Sequence, residues 1–333
     1  MHRIARRGVL AGTAALLLPG AAALAQPGGA GGQGRPLRLV SPFNPGGAID
    51  VLTRMLAERM AADLGQPVVV EARPGANTII GAEAVAKAPP DGSVFLVTTN
   101  STHTNNPALY RELPYDAERS FAPITLLSMG TVLLLAPAAA PYADAPGFAA
   151  WARAQGQAQG RPVTYGSWGV GSGGHLYGET LKARHGLPLE HVPYRGEQAA
   201  ILDMLGGRLD VTFCSPVGAK PQIAAGAGRA IGMTGERRSA AMPDIPTFAE
   251  QGFDGLDMPL FVAAWAPAGT PAPVIDRLRQ ALVRAAEDPT VREQMIRQGQ
   301  TPVLSTPEDL AATVARDAPR WAALIRASGA RVE

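Results

Sequence analysis

Apolar and polar positions along the chain predict short strands that alternate with helices. Between residues 51 and 60 the apolar side chains recur at three- and four-residue spacing, which predicts an amphipathic helix beginning near Asp50. A C-terminal helix is predicted over 307 to about 327, because Thr306 is a capping residue, Pro307 suits the first helical position and Asp309 supplies an acid three residues after the cap. Short β-rich runs lie at 37–40, 68–71, 94–98, 163–165, 189–193, 211–213 and 230–233. This alternation predicts an α/β fold of parallel sheets covered by helices on both faces.

The first 25 residues have the organisation of a secretory signal. Arginines precede a short apolar run at 9–18, and Ala23-Leu24-Ala25 fits the small-x-small cleavage rule. Pro19-Gly20 interrupts the run before it reaches the about 20 apolar residues that a span needs, which disfavours a membrane anchor. The pair Arg6-Arg7 leaves both Sec and twin-arginine export open. We therefore expect a protein that is exported to the periplasm and cleaved near Ala25.

Composition favours a globular chain with little net charge. Removal of residues 1–25 leaves 27 basic and 28 acidic residues, so no nucleic-acid or membrane-surface partner is expected. Cys214 is the only cysteine of the sequence and lies in an apolar run, which excludes an intrachain disulfide and favours a buried structural thiol. A mature chain of about 300 residues exceeds one ordinary core and predicts two domains. A Gly-rich, flexible lead-in at 26–35 precedes them.

Three glycine-rich loops each follow a predicted strand and precede a predicted helix. The first loop is residues 41–50, the second loop 71–81 and the third loop 165–176. Such a loop directs backbone N–H groups and the positive end of a helix dipole at one point, where a carboxylate or phosphate can bind. Ligands of open α/β sheets sit outside the carboxyl ends of the strands. The three loops therefore suit a crevice between two α/β domains.

A set of short motifs lies along the chain in a fixed order, from about Arg38 to Ala327. They are Pro42-Phe43-x-Pro45-Gly46-Gly47-x-x-Asp50, Arg73-Pro74-Gly75-Ala76 with Ile80-Gly81, Ala88-x-Pro90-Asp91-Gly92, Asn106-Pro107-Ala108-Leu109-Tyr110, Tyr165-Gly166-Ser167 with Gly171-Ser172 and His175-Leu176, Val192-Pro193-Tyr194-Arg195-Gly196, Leu205-Gly206-Gly207-x-x-Asp210, Pro243-Asp244-x-Pro246-Thr247 and Ala266-Pro267-Ala268-Gly269-Thr270-Pro271. Any one motif is weak, but the ordered set is highly specific. Together they resemble the Bug family, the periplasmic solute receptors of tripartite tricarboxylate transporters.

The resemblance implies a Venus-flytrap fold, the type II-like two-domain fold of periplasmic binding proteins, which closes over a small organic anion. Two hinge strands would cross between the domains, near 131–136 and 261–266. The first domain would be discontinuous, at 36–130 plus 260–333, and the second domain would be 131–259. Such a receptor would bind a small organic acid as a monomer, deliver it to membrane permease subunits and need no cofactor or metal.

The resemblance also implies how the carboxylate would bind. Main-chain amides, hydroxyls and bridging water would recognise it, because several oriented donors can share one negative charge without a cationic side chain. The implied contacts are Phe43, Gly46, Gly47, Ala76, Asn77 and Thr78 in the first domain, and Ser167, Ser172 and Gly173 in the second.

Some polar residues have two interpretations. Asp50 and Asp203 could contact the ligand, but an acid in the first turn of a helix, where Asp50 lies, is often there for the helix dipole. Asn100 and Ser101 follow a predicted strand and are candidate pocket contacts. His175 fits a capping or packing role better than that of a catalytic base, because no acid or nucleophile shows a motif-based pairing with it.

Two departures from the family pattern bear on specificity. The second loop usually reads Gly-Ala-Gly-Gly, whereas here Ala76 continues into Asn77 and Thr78, which add a carboxamide and a hydroxyl and remove backbone freedom. Trp168 stands where the family usually has a small residue, and could narrow the pocket or stack on a planar ligand. This suggests the hypothesis that the protein prefers a compact or aromatic carboxylate over citrate. In the alternative, Trp168 packs on the domain surface away from the crevice.

The alternatives to a receptor are an enzyme and a sensor. A secreted α/β hydrolase would need a Gly-x-Ser-x-Gly elbow, but the glycine spacing around Ser172 is wrong for one. Phosphate-loop, dinucleotide and metal-ligand spacings are missing from the sequence as well. A periplasmic sensor that presents its ligand to a signalling partner would share the receptor's features, and the sequence leaves that alternative open.

Overall fold

The computed structural model of the protein describes residues 34–329. The predicted signal at 1–25 and most of the lead-in at 26–35 lie outside these residues. The described chain forms two β-sheets with helices packed on them, and we call each sheet with its helices a lobe. Among the described helices, none combines the length and hydropathy of a bilayer crossing.

The first lobe is built on a six-stranded sheet. Its strands are β1 (Leu37–Ser41), β2 (Val68–Ala72), β3 (Val94–Thr99), β4 (Phe121–Gly130), β10 (Leu260–Pro267) and β11 (Gln300–Pro302), in the order β11-β4-β10-β3-β1-β2. Its helices are α1 (Ala48–Leu64), α2 (Ile79–Ala86), α3 (Asn106–Leu109), α8 (Ala272–Glu287), α9 (Pro289–Arg297) and α10 (Pro307–Ser328). One apolar layer joins the sheet to α1, α8 and α9, and a second layer includes side chains of α2 and α10.

The second lobe is built on a five-stranded sheet. Its strands are β5 (Leu133–Pro137), β6 (Val163–Ser167), β7 (Leu189–Pro193), β8 (Val211–Cys214) and β9 (Gly228–Met233), in the order β7-β6-β8-β5-β9. Its helices are α4 (Ala145–Gln159), α5 (Gly173–His185), α6 (Glu197–Leu205) and α7 (Pro216–Ala224). Cys214 is buried in this lobe, as predicted, and burial raises the pKa of its thiol.

The carboxyl ends of the parallel strands in both sheets face one gap. β1, β2 and β3 run parallel, and β10 is antiparallel to both β3 and β4, so β1 to β4 end at the same edge. In the second sheet β6, β7 and β8 run parallel, and β5 runs antiparallel to β8. Thr131 and Val132 alone separate the end of β4 from the start of β5. The edge where β1 to β4 end therefore adjoins the edge where β6 to β8 end.

Both sheets are mixed, so the prediction of parallel sheets is confirmed for β1 to β3 and for β6 to β8, and is wrong for β5, β10 and β11, which run against them. The predicted crossing segments overlap β5 and β10, and these two strands are antiparallel to their neighbours. Each of them begins at the gap, after the chain has come across from the other lobe. It must therefore run against the strands that end there.

The C-terminal helix α10 joins the two lobes. It packs on β4 in the first lobe and on α5 in the second. Trp321 and Ile325 lie in the core of the second lobe, where the indole of Trp321 is 5.8 Å from the ring of Tyr177. Arg320 forms an ion pair with Asp257 at 2.6 Å. The end of α10 is therefore part of the second lobe's packing, although the helix follows strands of the first.

His103 is a buried histidine of the first lobe whose two ring nitrogens have no hydrogen-bond partner. Its imidazole stacks on Trp265 at 3.7 Å and meets Phe121 edge-on at 5.0 Å. Burial lowers the pKa of His103 to about 3. The ring is therefore neutral in the folded protein and behaves as an aromatic filler of the core.

We expect His103→Phe to make the protein less sensitive to acid. An unfolded histidine titrates near about pH 6.5, so between that pH and about 3 the unfolded chain takes up a proton that the folded chain refuses, and stability falls as the pH falls. At pH 5 this loss amounts to about 2 kcal/mol. Urea unfolding at pH 7.5 and pH 5 measures it. If the wild-type protein and His103→Phe lose equal stability between the two pH values, His103 does not have the lowered pKa assigned to it.

Candidate functional site

The first loop leaves β1 and turns into α1 through a network of its own. The Gly46 N–H donates to the Asp50 carboxylate at 3.0 Å, and the Gly47 N–H donates to the Asn44 carbonyl at 3.2 Å. Arg54 donates to the same Asp50 carboxylate at 2.8 Å. Burial favours a higher pKa for Asp50, but the hydrogen bonds from Arg54 and Gly46 lower it overall. Asp50 thus holds the shape of the loop, while Gly46 and Gly47 are exposed and Phe43 is half-buried.

The second loop has an unusual backbone. Ala76, Asn77 and Thr78 have φ angles of 44°, 48° and 77°, so three consecutive residues other than glycine lie in the left-handed region. Each such residue costs about 1–2 kcal/mol relative to ordinary backbone. The sequence implied less backbone freedom here than glycines would give. In the folded protein these residues therefore adopt a strained conformation.

A polar segment after β3 holds this strained backbone in place. The Asn77 side chain donates to Asn106 Oδ1 at 2.7 Å, and the Asn106 amide donates to the Asn77 carbonyl at 2.8 Å. The hydroxyls of Thr78 and Thr102 are 2.8 Å apart. All members of the segment Asn100 to Asn106 are buried. Asn100 bonds within its own turn, donating to Thr104 and Asn105 at 3.3 Å.

The third loop lies between β6 and α5 in the second lobe. Ser172 caps α5, with its hydroxyl accepting from the His175 N–H at 3.3 Å, and Ser167 is buried below the loop. Trp168 is half-buried, and its indole packs on the first turn of α5: a Cβ added to Gly174 would lie 2.9 Å from Cζ3 of the indole.

The two lobes touch at the third loop. The Asn105 side chain of the first lobe donates to the Gly171 carbonyl at 3.3 Å. A Cβ on Gly171 would lie 2.3 Å from the Leu109 side chain, and a Cβ on Gly173 would lie 2.7 Å from the Leu260 side chain at the start of β10. A side chain at either position would force a leucine of the opposite lobe to move, and the φ of 74° at Gly171 also favours glycine there. Polar loops of both lobes thus lie along one gap and reach each other.

The sequence matches the family model of the tripartite tricarboxylate transporter family receptors over residues 52–330. The chain belongs to this receptor family. The resemblance seen in the sequence motifs is thereby confirmed. A protein of Pseudomonas sp. (strain P51), named for the tcbD-tcbE intergenic region, is 35% identical over 292 residues, which are 87% of this chain and 85% of that protein. The protein BugT of Bordetella pertussis is 30% identical and aligns with 90% of this chain and 91% of its own length.

Solved structures of similar proteins have the same two-lobed fold. The periplasmic binding protein BugD is 32% identical and superposes with a TM-score of 0.77 over 90% of this chain and 99% of its own. An R. palustris protein in complex with adipate is 29% identical, with a TM-score of 0.79 over 89% of this chain and 97% of that chain. MatC from Rhodopseudomonas palustris, with bound malate, is 30% identical, with a TM-score of 0.75 over 87% of this chain and 99% of that chain. The predicted two-domain periplasmic binding protein fold is thus confirmed.

The predicted site residues lie in the segments that follow β1, β2, β3 and β6 or at the ends of these strands, and Asp203 stands apart from them. Asp203 lies in the last turn of α6, where its carboxylate accepts from the Tyr194 hydroxyl at 2.8 Å and from Arg208 at 2.9 Å. These hydrogen bonds lower the pKa of Asp203. Its contacts within the described chain connect α6 to its flanking loops. The first and second loops, in contrast, pack together, since a Cβ on Gly81 would lie 2.7 Å from Pro42.

Sequence reasoning missed three polar residues that support the loops beside the gap. Asn105 and Asn106 connect the second loop to the third. They lie in or beside the motif that begins at Asn106. The sequence signal for them was a pair of adjacent carboxamides in a short turn. His191 lies in β7, paired in register with Tyr165 of β6, and contacts Ser167. In the sequence His191 is a single histidine within a β-rich run. Such a histidine cannot be distinguished from an exposed strand residue by sequence alone.

The arrangement offers hydrogen-bond donors rather than a metal centre. Among residues 34–329, no group of three His, Cys, Asp or Glu side chains is placed to hold a metal ion. Backbone amides and polar side chains lie in the loops at the ends of β1, β2, β3 and β6. Such groups bind an anion by sharing its charge among several oriented dipoles.

We expect Ala76→Gly in the second loop to leave stability unchanged or to raise it by up to about 1 kcal/mol. The left-handed backbone at Ala76 suits glycine, so the gain there offsets the entropy that glycine adds to the unfolded chain. The matched control is Ala84→Gly inside α2, where glycine should cost about 1 kcal/mol. Urea unfolding of both variants gives the comparison. Equal losses in the two variants would show that the second loop is not strained.

Proposed function

We propose that the protein is a periplasmic solute receptor that captures a small organic carboxylate between its two lobes. It then delivers the carboxylate to the membrane permease subunits of a tripartite tricarboxylate-type transporter. The observation that carries this proposal is the meeting of polar loops from both lobes at one gap, where Asn105 reaches Gly171. Family membership and relatives that bind adipate and malate support the same ligand class.

The gap suits a carboxylate by its donors. The third loop runs directly into α5, whose first N–H groups have no partner within the helix and lie at the positive end of its dipole. The second loop brings the exposed Ala76 and the half-buried carboxamide of Asn77, whereas the Thr78 hydroxyl is buried against Thr102. A carboxylate held by both loops would be bound without a full positive charge, which keeps its release possible.

The mechanism is binding coupled to closure. The lobes at 36–130 plus 260–333 and at 131–259 would move about the crossings at Thr131-Val132 and at the start of β10. A ligand that touches loops on both sides favours the closed form by the contacts that only this form provides. Because α10 packs in both lobes, closure would also shift Trp321 against α5 or bend the helix. The closed monomer would then dock on the permease.

An enzymatic role is not part of this proposal. Ser167 and His191 are 2.7 Å apart, which is the spacing of a nucleophile and its base. However, Ser167 is fully buried, and burial lowers the pKa of His191 to about 3. A base that binds its proton so weakly, beside a hydroxyl that substrate cannot reach, suits a structural hydrogen bond.

A thermal-shift screen followed by calorimetry tests the proposed function. The screen takes mono-, di- and tricarboxylates, amino acids and aromatic acids, with matching amides and alcohols as neutral controls. A ligand at a hundred times its Kd stabilises the native state by about 2.7 kcal/mol, which raises the melting temperature. We expect one carboxylate class to do so, and small-angle scattering to show a more compact protein with that acid. Melting shifts for neutral controls only, or no compaction with a bound acid, would contradict the proposal.

Trp168→Ala tests the specificity hypothesis. If the indole limits the pocket, the variant should bind longer dicarboxylates and citrate more tightly and aromatic acids more weakly, by about 1 kcal/mol for lost stacking. The control is Trp151→Ala, since Trp151 lies on α4 with its ring against Tyr142 and Phe148. Calorimetry ranks the acids for each variant. An unchanged ranking in Trp168→Ala would assign the indole to packing on α5 alone.

A further inference from the structure

Two stacked imidazoles lie beneath the third loop. The rings of His175 on α5 and His191 on β7 are 4.0 Å apart, with 24° between their planes. Each ring is bonded to a different part of the loop. His175 Nδ1 accepts from the Gly171 N–H at 3.0 Å, and His191 Nε2 is 2.7 Å from Ser167 Oγ. Together the two rings support both ends of the loop from the side of the core.

The hydrogen-bond distances indicate where the hydroxyl protons of this cluster go. Ser167 Oγ lies 2.7 Å from His191 Nε2 and 3.1 Å from the Gly169 carbonyl, so its proton goes to the imidazole in the tautomer with the lone pair on Nε2 and to the carbonyl in the other. Ser172 Oγ lies 2.6 Å from the Gly169 carbonyl and 3.2 Å from Ser167 Oγ, so its proton goes to the carbonyl. A hydroxyl has one proton to donate. Neither serine therefore has a proton left for a carboxylate in the gap.

The amide protons of the loop are divided between its own scaffold and the helix entrance. The Gly169 N–H donates to Ser167 Oγ at 3.2 Å, and the Ser172 N–H donates to the Gly169 carbonyl at 3.2 Å. These bonds fold the loop over the two serines. They place Gly173 and Gly174 as the first residues of α5, with N–H groups that have no partner within the helix.

We propose that His191 is a positioning residue of the receptor site. By accepting the Ser167 proton it locks the fold of the third loop, so that the backbone amides at the start of α5, rather than the serine hydroxyls, bind the carboxylate. This inference rests on the proposed function for its ligand. The sequence did not single out His191. It also did not indicate that the amides and the hydroxyls of the third loop have different roles.

The chemistry of the site requires an imidazole without charge at this position. Only a neutral ring keeps a lone pair on Nε2 to accept the Ser167 proton, and only neutral rings stack without repulsion. Burial supplies this condition, because it lowers the pKa of His191 to about 3 and that of His175 to about 4. Both rings are therefore neutral near pH 7. His175 has its lone pair on Nδ1, where Gly171 donates, and in this proposal the lone pair of His191 lies on Nε2.

Two substitutions at His191 separate the hydrogen bond from the packing. His191→Gln keeps an acceptor at about the distance of Nε2 and removes the aromatic stack, whereas His191→Phe keeps the stack and removes the acceptor. Hydrogen–deuterium exchange of the ligand-free protein then reports the amides of Gly169, Gly171 and Ser172. We expect exchange at these amides to be about tenfold faster in His191→Phe and to stay within about threefold of wild type in His191→Gln.

The control and a second variant make the exchange result decisive. His185 lies at the other end of α5, with Nε2 3.0 Å from the Asp254 carbonyl, so His185→Phe should leave the third loop unchanged. Ser167→Ala removes the same hydrogen bond from its other side and also removes the acceptor of the Gly169 N–H. It should speed exchange at least as much as His191→Phe does, and adding His191→Phe to it should have no further effect. Ser167→Ala also tests the inference if a His191 variant folds poorly.

Calorimetry with malate and with adipate adds the functional readout. If either acid binds, we expect about tenfold weaker binding to His191→Phe, near-normal binding to His191→Gln, and equal melting temperatures of the two variants without ligand. Equal exchange rates in His191→Phe and His191→Gln would overturn the inference, as would an acid that binds both variants equally. If neither acid binds, the exchange result still decides the role of His191. The absence of binding would then show that malate and adipate are not ligands of this protein.

Discussion

The structure depends on a chain crossing of two residues, Thr131 and Val132, between β4 and β5. So short a connection forces the edge at which β4 ends to adjoin the edge at which β5 begins. Because the parallel strands of both sheets end at these edges, their loops face each other across one gap. The crossing also explains why both sheets are mixed. A strand that enters from the other lobe must begin where the parallel strands end.

The second loop has a strained backbone that hydrogen bonds to the segment after β3 stabilise. Three left-handed residues cost about 3–6 kcal/mol together. The hydrogen bonds of Asn77 and Thr78 to Asn106 and Thr102 return about 1 kcal/mol each, and more where a buried group would otherwise lose its partner. The two sums are of similar size, so the loop keeps its shape only while the buried segment after β3 is intact. The same segment contacts the third loop through Asn105, which connects the two lobes.

The sequence predicted the elements of the fold better than their mutual directions. Strand composition located all seven of the predicted strands, and the cap at Thr306 is formed as expected, with its hydroxyl accepting from the Asp309 N–H. The antiparallel strands were not predictable from composition, since a strand's direction depends on where the chain enters the sheet. Burial of Trp321 in the second lobe also escaped prediction, because it follows from the angle at which α10 leaves the first lobe.

The candidate site was also predictable only in part: its loops could be located from the sequence, but their internal hydrogen bonds could not. Loops after strands are recognisable from glycine and from their order, so the sequence alone predicts Gly46 and Ala76 on one wall of a crevice and Ser167 on the opposite wall. The division of hydrogen bonds within them is not predicted, because it depends on contacts distant in sequence. Ser167 lies 24 residues from His191, and Asn105 lies 66 residues from Gly171.

The most direct test of the account is a crystal structure of the protein with a carboxylate that raises its melting temperature. The acid should lie between the lobes, with its carboxylate on the amides at the start of α5 and its other side facing the second loop. An acid bound to one lobe only, or at a surface away from both loops, would contradict it.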